Sequence, residues 1–184
     1  MTRRIAESGR SGGAAARPAS TAQAPGAALT VFAWGNTARA DDGIGPILAE
    51  RLRQKDVPGL TVIEDHQLNI EHVTDLEECE AALFIDASIA IEEGCRLERI
   101  GPSNDGNFST HAISPQALLN VYEKTMKKPA PDAWLLHVAA REFELGAEPG
   151  NTAKQSIEEA HRFLEELVDH EPSDWREQLV RNGV

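Results

Sequence analysis

The chain has 184 residues, enough for one globular domain with short appendages, and 41% of them are hydrophobic, which excludes a wholly disordered polymer. Lys plus Arg number 18 against 30 Asp plus Glu, a formal net charge of −12. That balance argues against a duplex nucleic-acid binder and against a ligand of anionic membrane surfaces.

Residues 1–27 are rich in Ala, Gly, Ser and Pro and nearly lack large apolar side chains, so a disordered tail is expected there. Arg3-Arg4 is followed by small and polar residues rather than by the apolar core of an export signal, and no run approaches the roughly 20 apolar residues of a membrane span. A cytoplasmic protein is expected. The α/β domain is expected over 28–170. Ala28–Trp34 is an apolar, β-branched run ending at Gly35-Asn36, which predicts a buried strand entering a turn. Ile44, Ile47, Leu48 and Leu52 follow at helical spacing, with the helix entering near Gly43–Pro46. Leu60–Glu64 predicts a second strand, Ile70–Glu80 a helix, and Ala81–Ile85 a third, nearly uniformly apolar strand. Arg96–Ile100 predicts a short edge strand, and Asp105–Thr110 a loop. Ser114-Pro115 is a helix start, with the helix running to Met126. Ala133–Ala139 predicts another strand and Ala153–His170 a long amphipathic helix. Residues 171–184 read as a polar C-terminal extension with room for one short helix.

Alternation of strands and helices predicts a single three-layer α/β domain, with a mostly parallel sheet of about five strands flanked by helices. In such sheets, chemistry sits beyond the carboxyl ends of the strands. There is no Walker A loop, no HExxH and no GxSxG elbow, and Leu48 stands where a dinucleotide fingerprint needs its third glycine. Cys79 and Cys95 form no CxxC and read as reduced thiols.

Three polar residues stand just after predicted strands or between them: Asp42, Asp86 and His111. Two carboxylates and an imidazole on loops at one sheet edge can form an O,O,N site with open positions, suited to a borderline divalent cation. Each residue also has a plain structural reading. Asp42 can stabilise a helix N-terminus, Asp86 can cap a loop, and His111 can be a surface histidine. His66, His72, His137, His161 and His170 read as ordinary surface or packed histidines. Glu158 and His161 make one ExxH pair, where a di-iron site needs two.

The stretch Gly35-Asn36-Thr37-Ala38-Arg39-Ala40-Asp41-Asp42-Gly43-Ile44-Gly45 resembles the signature loop of the hydrogenase maturation endopeptidase family. Val62-Ile63-Glu64-Asp65 resembles its second strand, Leu83-Phe84-Ile85-Asp86-Ala87 its metal-binding aspartate strand, and Ser109-Thr110-His111 its histidine segment. Phe143-Glu144-Leu145-Gly146 resembles the stretch after its last strand. Three positions depart from the pattern. Ala33 replaces the first glycine of Gly-x-Gly-Asn, Asp42 stands where glutamate is frequent, and His66-Gln67-Leu68 replaces a Gly-Gly-Thr segment. Trp34-Gly35-Asn36 and Phe143–Gly146 look most like the branch serving soluble, NAD-reducing-type hydrogenases.

The resemblance implies an endopeptidase that removes the C-terminal extension of a nickel-iron hydrogenase large-subunit precursor. It implies Asp42, Asp86 and His111 as metal ligands and as the catalytic set. The nickel would come with the substrate rather than be held permanently. A monomer is expected, with no nucleic-acid or membrane partner. A non-catalytic chaperone or binding module docking on a metalloprotein precursor is one alternative, and a germination-protease-like peptidase of related fold acting on a metal-free substrate is another.

Overall fold

In the computed structural model, residues 27–77, 79–104 and 113–183 are described. The expected tail, apart from Ala27, the loop at 105–110 and His111 lie outside them. Uniformly apolar runs become the inner strands, because a parallel strand buried on both faces tolerates no alternation of polarity. They are β1 (Leu29–Trp34), β3 (Ala81–Ser88) and β5 (Asp132–Ala139). The more polar β2 (Leu60–Asp65) and β4 (Cys95–Ile100) take the edges. The sheet order is β2-β1-β3-β5-β4, with every pairing parallel except β4 against β5.

Two cores form, one on each face. Leu29, Val31, Leu83, Ile85, Leu136 and Val138 pack under α1 (Ile44–Arg53) and the buried stripe of α3 (Asn151–Val168), which includes Ala153, Ile157, Ala160 and Leu164. Phe32, Phe84 and Leu135 pack on the other face under α2 (Pro115–Met126). The rings of Phe32 and Phe84 stack there with centroids 5.0 Å apart. Ser114 caps α2 by accepting from the Ala117 N–H at 3.1 Å, with Pro115 in the first turn, as the sequence predicts.

Three elements differ from expectation. The predicted Ile70–Glu80 helix is a single 3-10 turn, Ile70–Val73. The Asn69 side chain accepts from Glu71 N–H and His72 Nδ1 accepts from Asn69 N–H, which starts the turn. Cys79 is already bridged to Ala27 in a parallel β-bridge, so the chain must straighten before β3. Strand β3 runs on to Ser88, so Asp86 lies inside it, paired with His137 of β5. The polar C-terminal segment contains α4 (Trp175–Asn182), whose Trp175 and Leu179 are fully buried in the α1/α3 core. Asp132 anchors that end through Arg176 of α4 and Arg99 of β4.

Both cysteines are free and part-buried, and burial pushes each thiol pKa up to about 11. Among the described residues, no helix is long and apolar enough to cross a membrane.

Candidate active site

The segment after β1 turns back on itself, and its glycines are required by close approach. Gly35 has φ +143°, and a Cβ there would lie 1.9 Å from the Asp42 carbonyl oxygen. A Cβ on Gly45 would lie 2.3 Å from the Trp34 carbonyl oxygen. The loop closes with the Asn36 N–H donating to the Asp42 carbonyl at 3.1 Å, while the Asn36 side chain accepts from Ala38 N–H at 2.9 Å.

Its two adjacent aspartates do different things. Asp41 is fully buried, and its carboxylate accepts from the backbone N–H groups of Arg141, Glu142 and Gly150 at 2.7, 2.9 and 2.8 Å. It welds the β1 loop to the segment after β5 and to the start of α3. The Ala40 N–H to Ala147 and Gly146 N–H to Ala38 bonds complete that seam. Asp42 is part-buried and turned to the cavity. It does not cap α1: the N-cap residue is Gly43, with no side-chain cap bond.

Asp86 sits near the carboxyl end of β3 on the α2 side of the sheet. Burial pushes its pKa up to about 6, and the nearby Asp42 charge adds to the rise. The neighbouring His137 charge, the Trp34 indole N–H and the Ala87 N–H pull the other way. The Asp42 charge thus bears on Asp86, 44 residues away in sequence. His137, read from sequence as a packed histidine, lies beside Asp86 in register and meets Glu98 of β4 at 3.0 Å.

A cavity of about 540 Å³ opens in front of Asp42. Trp34, Asn36 and Arg39 of the β1 loop line one side, His66, Gln67 and Leu68 the other, and Ile113 closes it. Asp65 fixes the second wall by accepting from His66 N–H at 2.7 Å and from the Asn69 side chain at 3.2 Å. The Ile113 N–H donates to the Leu68 carbonyl at 3.2 Å, tying the approach to α2 to the same wall. The structure therefore places Asp42 on the cavity and Asp86 near the carboxyl end of the neighbouring strand, within reach of the Asp42 charge, while His111 lies outside the described residues. Among those residues, no three His, Cys, Asp or Glu side chains gather as a metal-holding group. The donors present are two carboxylates, which fit a divalent cation that brings further ligands of its own. Arg39, His66 and Gln67 were not singled out as site residues from sequence. The signal was there for the second wall, since His66-Gln67-Leu68 stands where the resembled pattern has Gly-Gly-Thr.

No family model and no curated protein sequence matches the chain. Solved structures do. The [NiFe] hydrogenase maturation protease HycI from Thermococcus kodakarensis KOD1 aligns with a TM-score of 0.61 at 19% identity, over 77% of this chain and 92% of that one. This chain has the hydrogenase maturation protease fold. The hydrogenase maturating endopeptidase HybD from E. coli aligns with a TM-score of 0.57 at 16% identity, over 74% and 88% of the two chains. HybD from Thermococcus kodakarensis aligns at 0.56 and 20%, over 76% and 98%. Nearly the whole of each maturation protease is thus matched.

Proposed function

We propose that this chain is a hydrogenase maturation endopeptidase, which hydrolyses one peptide bond to remove the C-terminal extension of a nickel-loaded nickel-iron hydrogenase large-subunit precursor. The observation that supports the reading is the maturation-protease fold with Asp42 on the cavity beyond β1 and Asp86 near the carboxyl end of the neighbouring β3, where burial and the Asp42 charge raise its pKa. Two part-buried carboxylates whose charges interact repel, and a cation bound by both would relieve the repulsion. On this reading the cation is the precursor's own nickel, which is substrate and not a resident cofactor. Asp42, Asp86 and His111 would each donate to it. Docking then selects loaded precursor, because affinity gained only through the metal is absent for the nickel-free form. Asp41 has no part in this, since its carboxylate is filled by backbone donors. The enzyme works as a cytoplasmic monomer.

The test is incubation with nickel-loaded and nickel-free precursor, followed by intact mass. Wild type should release a C-terminal peptide from the loaded form alone. Asp42→Ala, Asp86→Ala and His111→Ala should each lower processing by about 100-fold or more, non-additively, because a site missing one ligand has little left to lose. Glu158→Ala and His161→Ala on α3 should process normally. Wild-type-like processing by Asp42→Ala and Asp86→Ala removes the proposed site. Binding of loaded precursor by wild type without any cleavage identifies a chaperone instead.

A further inference from the structure

We propose that the His66 imidazole is the proton carrier of the hydrolysis, acting from the cavity wall opposite Asp42. The inference rests on the endopeptidase reading. Peptide hydrolysis needs a group that takes a proton from the attacking water and delivers one to the departing nitrogen. The titratable side chains lining the cavity, among the described residues, are Arg39, Asp42 and His66. The guanidinium of Arg39 does not release a proton in proteins. Asp42, on the same reading, is committed to the substrate's nickel. His66 remains.

The geometry suits that task. Its backbone is fixed, with the N–H held by Asp65 Oδ1 at 2.7 Å and Asp65 in turn bonded to Asn69. Its ring has no hydrogen bond or ion pair among the described residues and lines open space. A fixed backbone under an unengaged ring keeps the imidazole at the cavity wall without tying up its nitrogens. Among the described residues, His137 beside Asp86 is engaged by Glu98 at 3.0 Å, and His72 accepts from Asn69 N–H. The step balances as follows. The water oxygen bonds to the scissile carbonyl carbon as His66 accepts the water proton. The carbon–nitrogen bond then breaks as His66 returns that proton to the leaving nitrogen. Free enzyme is regenerated with one carboxyl and one amino terminus formed.

The test uses the full chain and nickel-loaded precursor, with cleavage measured in single turnover and binding measured separately. His66 is exposed, so its variants should fold as wild type does. His66→Ala and His66→Gln should bind loaded precursor within about threefold of wild type and cleave it roughly 10²–10³-fold more slowly, the range general acid–base catalysis supplies. Added imidazole should speed His66→Ala and leave wild type unchanged. Cleavage within about threefold of wild type overturns the proposal. Parallel loss of binding and cleavage overturns it too, assigning His66 to the nickel instead, and so does slow cleavage that imidazole leaves slow. If wild type itself releases no peptide, the endopeptidase reading has failed first, and the two failures are told apart by that control.

Discussion

The two faces of the sheet are built differently. On the α1/α3 side the apolar rows run the whole length of the inner strands, from Leu29 to Ala33, Leu83 to Ile85 and Trp134 to Val138, and α4 adds Trp175 and Leu179. On the α2 side the buried apolar rows stop at Phe32, Phe84 and Leu135. One step further along the strands stand Trp34, Asp86 and His137. The closed face carries stability. The open face holds charged groups that a fully packed layer would not admit. The lesson is that the candidate site lies where one core ends early, at the carboxyl edge where the strand loops converge.

Substitutions should separate the two faces, and the largest effect is expected on the closed one. Trp175→Ala removes a fully buried indole from the α1/α3 core and should lower unfolding free energy by about 3–5 kcal/mol in urea titration. A loss under about 1 kcal/mol would mean that α4 is an appendage and not part of the core. Next comes Asp41→Ala, at the seam between the faces. It leaves three backbone N–H groups without their carboxylate and should cost about 3 kcal/mol, with looser amides at Arg141, Glu142 and Gly150 in hydrogen exchange.

The smallest effect is on the open face and has the opposite sign. The Asp86 carboxyl has an ordinary pKa of 3.8 and is raised to about 6 in the fold. A folded pKa above the unfolded one means that the folded state holds its proton more tightly. Its favourable contribution is therefore full below about pH 4 and is lost as pH rises through about 6. Asp86→Asn removes the charge that burial disfavours and keeps an acceptor for the Trp34 indole. It should stabilise the protein by about 1–2 kcal/mol at pH 7.5, with the gain vanishing near pH 4. Equal melting temperatures for variant and wild type across that range would show that Asp86 is not held in a charge-hostile crevice.

The sequence made β1, β3, β5, α2 and α3 legible for local reasons: unbroken apolar runs, a Ser-Pro start and a clean helical stripe. The failure at Ile70–Glu80 came from outside the segment. Ile70, Val73 and Leu76 have helical spacing, yet the bridge from Cys79 to Ala27 pulls the chain straight. The buried Trp175 and Leu179 were hidden among Arg, Glu and Gln, because a short helix needs only two large side chains to dock. Asp42 and Asp86 stood out as candidates because chain order placed them after apolar runs. Which of two adjacent aspartates faces the cavity could not be read from spacing. That depends on Arg141, Glu142 and Gly150, about 100 residues away. His66 and His137 escaped for a similar reason, since only loop packing brings the first to the cavity that Asp42 lines and only register sets the second beside Asp86.

The two thiols bear on a different question, that of metal exchange. Thiolates bind nickel and its neighbours more tightly than carboxylates do, and it is the thiolate rather than the thiol that ligates. With both pKa values near 11, Cys79 and Cys95 stay protonated at neutral pH. On the proposed function, a protein that met its substrate's nickel through two carboxylates and an imidazole, with its own sulfur protonated, could touch that ion and let go without extracting it.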